Sequence, residues 1–289
     1  MTEVLFRKPD VEEMGRQGYY GVDMHFHSVY SHDGWIRSRD VVKLMHKHNT
    51  GVAVADHNSI TGAEKVYRNK KGALVIPAIE VTVRKGAHVL VYFYGLRELQ
   101  NFYKKEIQPN LPVMLPYALK LSLEELLERT EDYNCVVCAP HPFGPFSPCL
   151  EHTTITSSIL RRIRAVEVIN GYNLHKDNLK ALDWALKHKK AMTGGTDGHT
   201  IFEFAKVLTF AESASIEGFM KAVLKKKVKI IGKEDPFVEK AMATCFKQGM
   251  YLTRSLFNQT LIPLAVSAAC NQARFTYNKA THKANKRNI

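Results

Sequence analysis

The sequence predicts a parallel β/α barrel, and three observations carry that prediction. Short apolar runs alternate with amphipathic stretches of helical period over the first 230 or so residues. The apolar runs end in histidine or carboxylate, as in Gly21-Val-Asp-Met-His25, Gly51-Val-Ala-Val-Ala-Asp-His57, Leu74-Val-Ile-Pro-Ala-Ile-Glu80 and Cys135-Val-Val-Cys-Ala-Pro-His141. With 289 residues, 45% of them hydrophobic, the chain is long enough for one large core.

The elements follow in order. Residues 22–27 read as the first strand. Residues 40–48 read as a helix with Val41, Leu44, Met45 and His48 on one face and Ser38 or Asp40 as N-cap. A strand at 51–55 and a helix at 61–69 come next, then strands at 74–83 and 88–94. Helices are expected at 96–105 and 122–132, the second opening Ser122-Leu-Glu-Glu125, a capping-box pattern. Strands at 136–140 and 165–169 precede a strongly amphipathic helix at 177–189. Residues 191–193 lead into Gly194-Gly-Thr-Asp197, followed by a strand at 204–210 and a helix at 216–225. Past Gly232 the strand signals stop. Residues 236–277 read as one or two helices interrupted at Pro263, and 278–289 as a basic, disordered tail. The expected division is a barrel over 1–232 and a helical extension over 233–289. Phe237, Ala241, Cys245, Leu252, Leu256, Leu261 and Leu264 give that extension an apolar stripe, to be buried against the barrel or a second copy of the chain.

Charged residues occur early in 1–15, which excludes a secretory signal there, and the longest apolar stretch, 261–270, is about half a membrane span. The expectation is a soluble, cytoplasmic protein without a transmembrane segment. Five cysteines, an odd number without framework spacing, point to a reducing compartment. Cys135-Val-Val-Cys138 matches a redox or zinc spacing, but lies inside an apolar run and reads as buried strand cysteines. The formal net charge of +13 favours anionic partners, among them phosphoesters and nucleic acid.

The polar residues closing the apolar runs form one candidate metal site: His25, His27, Asp33, His57, Glu80, His88, His141, Asp197 and His199. His25-Phe-His27 on a strand puts both imidazoles on one face, where they can share an ion. Asp23 lies on that face and could orient a histidine ring. Glu80 follows residues that should be buried, and a buried carboxylate needs a cation. Four of the eleven prolines fall between 140 and 148 and stiffen the loop carrying His141. Gly194 and Gly195 allow close approach to a bound group.

Taken in order, these pieces resemble the polymerase and histidinol phosphatase (PHP) family. The matching motifs are Asp23-Met-His-Phe-His-Ser28, Tyr30-Ser-His-Asp-Gly34, Ala55-Asp-His-Asn58, Ile79-Glu80, His88, Pro140-His-Pro142 and Thr196-Asp-Gly-His199, over residues 20 to 230. The resemblance implies a distorted seven-stranded (β/α)7 TIM-like barrel with a cluster of two or three metals at the nine positions. It makes Asp33 the ligand rather than His32, and it does not extend to 233–289.

Imidazole mixed with carboxylate suits Mn, Fe or Zn. Paired ions can acidify a bridging water and clamp the in-line transition state of phosphoester hydrolysis. The expected activity is therefore a metal-dependent phosphoesterase, a phosphatase or a phosphodiesterase or nuclease. Its substrate would be a nucleotide, an oligonucleotide or a small phosphorylated metabolite. Glu80 is the expected bridge, with Asp197 placing the hydroxide and His199 or His141 the candidates to protonate the leaving oxygen. Arg37, Arg84 and Lys85 are candidate phosphate contacts. Two readings compete: a non-catalytic barrel serving as a binding or structural module, and a metal-dependent C–N hydrolase.

Overall fold

The computed structural model describes residues 2–112, 118–144, 150 and 154–234. The predicted helices of 236–277, their apolar stripe and the basic tail lie outside the described residues, as do Pro145 and Pro148. The described part is mixed α/β, and its ten strands form two five-stranded sheets.

The first sheet has the order β1 (Glu3–Leu5), β10 (Lys229–Gly232), β9 (Val207–Ala211), β2 (Tyr20–Phe26), β3 (Gly51–Val54). The second runs in sequence order: β4 (Ala78–Thr82), β5 (His88–Phe93), β6 (Cys135–Ala139), β7 (Ala165–Asn170), β8 (Ala191–Gly195). Helices α1 (Val11–Arg16), α2 (Ser38–His48), α3 (Thr61–Arg68), α4 (Leu96–Phe102), α5 (Leu123–Thr130), α6 (Ser157–Arg162), α7 (His175–Lys187) and α8 (Ile216–Leu224) fill the connections.

Two features of the expected barrel are corrected. Not all pairs are parallel: β4–β5, β5–β6, β2–β9 and β9–β10 are antiparallel. The β4–β5 link is only residues 83–87, with Gly86 at φ 84°, too short for the crossover that parallel strands need. The ladders also do not close into a barrel. Isolated bridges join the sheets at Val52↔Val75 and His57↔Glu80 on one side and Phe26↔Gly198 on the other. At the first seam Ile76 donates its N–H to the Val52 carbonyl at 3.0 Å, and β4 begins at Ala78.

The side-chain alternation along β2 matters for the site. Val22, Met24 and Phe26 face one side and Asp23, His25 and His27 the other, and all six are buried. The strand is also held by the buried Tyr92 hydroxyl, which donates to the Met24 carbonyl at 2.9 Å.

Local signals mostly hold. The capping box at α5 forms, with Ser122 N–H donating to Glu125 Oε2 at 2.7 Å and Glu125 N–H to Ser122 Oγ at 3.3 Å. The N-cap of α2 differs: Arg37 takes it without a side-chain bond, because Ser38 and Asp40 lie inside the first turn. Strands β1 and β10 and helices α1 and α6 had no counterpart in the sequence reading, being three to six residues long. Cys135 and Cys138 are free and buried as expected, and burial pushes the Cys135 thiol up to about 12.

Candidate metal centre

All nine predicted residues meet in one cluster, built where the two sheets adjoin. β2 supplies His25 and His27. The loop after it supplies Asp33, held by Ser31 Oγ at 2.6 Å. The end of β3 leads to His57, β4 carries Glu80, and β5 opens on His88. His88 stands beside Thr82 because β5 runs back along β4, so the start of an antiparallel strand reaches the same end of the sheet. His141 follows β6, and Asp197 and His199 follow β8.

Glu80 is the hub. Its Oε1 lies 3.1 Å from His141 Nε2 and 3.2 Å from His88 Nδ1. Its Oε2 lies 3.0 Å from His57 Nδ1, 3.4 Å from His27 Nε2 and 3.5 Å from His25 Nε2. Although ring nitrogens crowd Oε2, none is aligned to donate to it. Asp197 Oδ1 sits 3.1 Å from His27 Nε2 and 3.6 Å from His25 Nε2. Asp33 Oδ2 sits 2.8 Å from His199 Nε2 and 3.7 Å from His57 Nε2. The His27 and His199 rings stack at 4.3 Å between centroids.

Tautomers show what the cluster requires. His199 Nδ1 faces the Asp197 carbonyl at 2.7 Å, which can only accept, so Nδ1 carries the proton. In a neutral ring Nε2 then points a lone pair at the Asp33 carboxylate. His25 Nδ1 likewise faces a carboxylate, Glu167, at 3.1 Å, leaving the Nε2 lone pair aimed at His27 Nε2, 3.1 Å away. Lone pairs set against carboxylates and each other repel unless a cation or a ring proton lies among them. The donor set, imidazole nitrogen and carboxylate oxygen, is the one divalent transition ions take. Four overlapping triads have ligand atoms within 4.8 Å of one another: His25–His27–Glu80, His27–Asp33–His199, His57–Glu80–His88 and His32–Asp33–His57.

The electrostatics agree. Burial alone would raise the Glu80 carboxyl, but His57, His88, His25 and the bond from His141 outweigh it and hold it well below the usual range. Asp197 and Asp33 are held low in the same way, against burial, by their histidine neighbours. All three carboxylates are therefore ionised.

The backbone is shaped for this arrangement. His141 and Asp197 both adopt left-handed φ, 27° and 53°, a region most side chains avoid. Gly195 serves packing rather than a bound group: a Cβ there would stand 2.5 Å from the His25 backbone nitrogen. Gly194 likewise faces Ile230 and Val207.

Asp23 does not orient a ring, as had been expected. It accepts from Thr196 N–H at 3.0 Å, Thr196 Oγ1 at 2.6 Å and His25 N–H at 3.3 Å, tying β2 to the loop after β8. Burial, opposed by these bonds, raises its carboxyl to about 7. Glu167 takes the orienting place, and the sequence reading missed it. Glu203 was missed too; its carboxylate accepts from His199 N–H at 2.9 Å and Thr200 N–H at 2.7 Å. His32 lies at the exposed edge, its ring 4.8 Å from that of His57. Arg37, Arg84 and Lys85 are exposed, and among the described residues none pairs with a carboxylate of the cluster. The Arg84 charge acts on Glu125 in the first turn of α5.

No family model matches the chain. It is 28% identical over 200 residues to an uncharacterized protein of Methanocaldococcus jannaschii, covering 68% of this chain and 72% of that one. Solved structures share the fold. A two-domain protein of Bacteroides vulgatus containing a predicted PHP-like metal-dependent phosphoesterase superposes with a TM-score of 0.55 at 16% identity, over 80% of this chain and 69% of that one. Endonuclease Q, in complex with a 27-mer duplex bearing an abasic lesion, gives 0.60 at 15% identity over 75% of this chain. The lesion-specific endonuclease of Pyrococcus furiosus gives 0.57 at 14% over 73%. The chain spans 60% and 57% of these two endonuclease chains.

Proposed function

We propose that this chain is a metal-dependent phosphoesterase whose centre holds two or three divalent ions, Mn, Fe or Zn, on the nine clustered residues. The observation that carries this reading is the convergence of nine imidazole and carboxylate side chains, with the Nδ1 hydrogens of His199 and His25 turned outward to a carbonyl and a carboxylate so that their Nε2 atoms face the centre. Bound ions would supply charge to a phosphate group and an acidified water. Support for phosphate chemistry comes from the solved relatives, described as a phosphoesterase and as lesion endonucleases.

The residues take distinct roles. Glu80 divides its two oxygens between His88 and His141 on one side and His25, His27 and His57 on the other, as a bridging carboxylate must. Asp33 and Asp197 flank it on the less buried side and would offset part of the ions' charge. The Nδ1 hydrogen of His199 is committed to a carbonyl, so its Nε2 is the atom that acts, as ligand or proton carrier but not both. Arg37, Arg84 and Lys85 are the cations we assign to the outlying part of the substrate. The net charge of +13 and the endonuclease likeness favour a nucleotide or oligonucleotide.

The test is phosphate release from nucleotides, dinucleotides, sugar phosphates and abasic-site oligonucleotides, with amide hydrolysis as comparison and chelator as control. A metal-loaded protein inert toward every phosphoester would replace this reading with the binding module.

A further inference from the structure

β7 is the one strand of the second sheet that leads to no predicted ligand, yet its end carries two buried polar residues aimed at the cluster. We infer that Glu167 and Asn170 are positioning residues that set the tautomer and aim of the ligands around them. This inference rests on the metal-centre reading above.

Glu167 is fully buried. Its oxygens lie 3.1 and 3.3 Å from His25 Nδ1, so the imidazole donates to a carboxylate and its Nε2 is bared toward the centre. The same carboxylate accepts the His141 backbone N–H at 2.9 Å, at a residue with left-handed φ. It also accepts from Asn170 Nδ2 at 2.9 Å, and that amide reaches Asp197 Oδ2 at 3.3 Å. The amide cannot flip. Its Oδ1 accepts from Tyr172 N–H at 2.9 Å and Asn173 N–H at 3.1 Å, which forces Nδ2 toward Glu167 and Asp197. Two side chains on one strand thus fix three ligand residues, one on β2 and two in the loops after β6 and β8.

A carboxylate with a purely structural role looks different, and this molecule contains one. Asp23 spends its oxygens on backbone N–H groups and the Thr196 hydroxyl and touches no ring. Glu167 contacts a ring nitrogen, where a carboxylate partner orients a metal-binding imidazole and raises its basicity.

The experiment compares wild type with Glu167→Gln and, to separate the role from a failure to fold with a buried amide, with Glu167→Asp, which keeps the charge but not the reach. A glutamine offers one acceptor where three donors converge and turns an N–H₂ toward one of them. Mn²⁺ and Zn²⁺ titration, nitrogen NMR of the His25 ring and unfolding of the metal-free protein are the readouts. Expected is a roughly ten- to hundredfold loss of metal affinity with a His25 ring no longer held in the Nδ1–H form. A variant that binds both ions as tightly as wild type overturns the inference. So does a variant with weakened binding whose His25 tautomer is unchanged, since destabilisation alone gives that result. If wild type takes up neither ion, the metal centre itself fails and this role with it; if wild type loads and only the variants' tautomer and affinity stay unmoved, the role of Glu167 fails alone.

Discussion

His57 and Glu80 are joined twice: their backbones form an isolated parallel bridge, and His57 Nδ1 lies 3.0 Å from Glu80 Oε2. The bridge is a seam between the two sheets, so the most connected side chain of the site sits where the sheets meet. Two further bonds close the seam, from Asn58 N–H to the Glu80 carbonyl at 2.9 Å and from Thr82 N–H to Asn58 Oδ1 at 3.0 Å. The same residues join the sheets and build the site.

Glu80→Ala should therefore lower kcat by orders of magnitude and strip metal from the protein, because every histidine of the cluster but His199 loses a 3.0–3.5 Å partner. Elemental analysis and steady-state kinetics check this together. Near wild-type turnover would remove Glu80 from the bridging role.

Metal content is the second prediction. Reconstituted protein should carry two or three divalent ions, lose phosphoesterase activity to chelator and regain it on adding metal. Ions bound only by the folded state raise the unfolding temperature by mass action. Fewer than one ion per chain after reconstitution with Mn, Fe or Zn would contradict the assignment.

The ligand string was legible because chelating residues closed apolar runs in the right order. Glu167 carried the same signal as Glu80, a carboxylate among residues that should be buried, in Ala165-Val-Glu-Val-Ile169. It went unread because it belongs to none of the matching motifs; its partner His25 is 142 residues away. Strand direction was not legible from hydrophobic pattern, since buried parallel and antiparallel strands are equally apolar. The five-residue link before His88 was the available clue. The seams were hidden too.

Metal uptake should depend on pH. Burial disfavours the charged rings, but Glu167, Asp197 and Glu80 outweigh it at His25, and Glu80, Asp197 and Glu167 at His141, so both are raised above the ordinary 6.5. The metal-free protein thus holds protons that ligation must expel, and affinity should fall as pH falls below those raised values. For the metal-free fold the sign is set by the same shifts. Their stabilisation is full below the ordinary value and is lost as pH rises through the folded one. Calorimetry in buffers of different ionisation enthalpy would detect the released protons; a titration with no proton release would refute the coupling.

Gly195 supplies the sharpest test of the packing. An added Cβ would stand 2.5 Å from both the backbone nitrogen and the Cβ of His25, and 2.9 Å from its Cα. These are main-chain atoms of a strand buried on both faces, so no side-chain rotation relieves the overlap. Either β8 or β2 must move, and β2 carries two imidazoles of the centre. Gly195→Ala should cost about 1–3 kcal/mol, the usual range for overpacking, and should weaken metal binding because His25 is displaced. Gly15→Ala is the control: it lies in α1, with nothing within 4 Å of its Cβ. There alanine should be neutral or stabilise by roughly 0.5–1 kcal/mol through helix propensity. Thermal unfolding of the two variants, with and without metal, separates the cases. If Gly195→Ala unfolds at the temperature of wild type and binds metal as tightly, β8 does not approach β2 as closely as described, and the geometry of the centre at His25 is wrong.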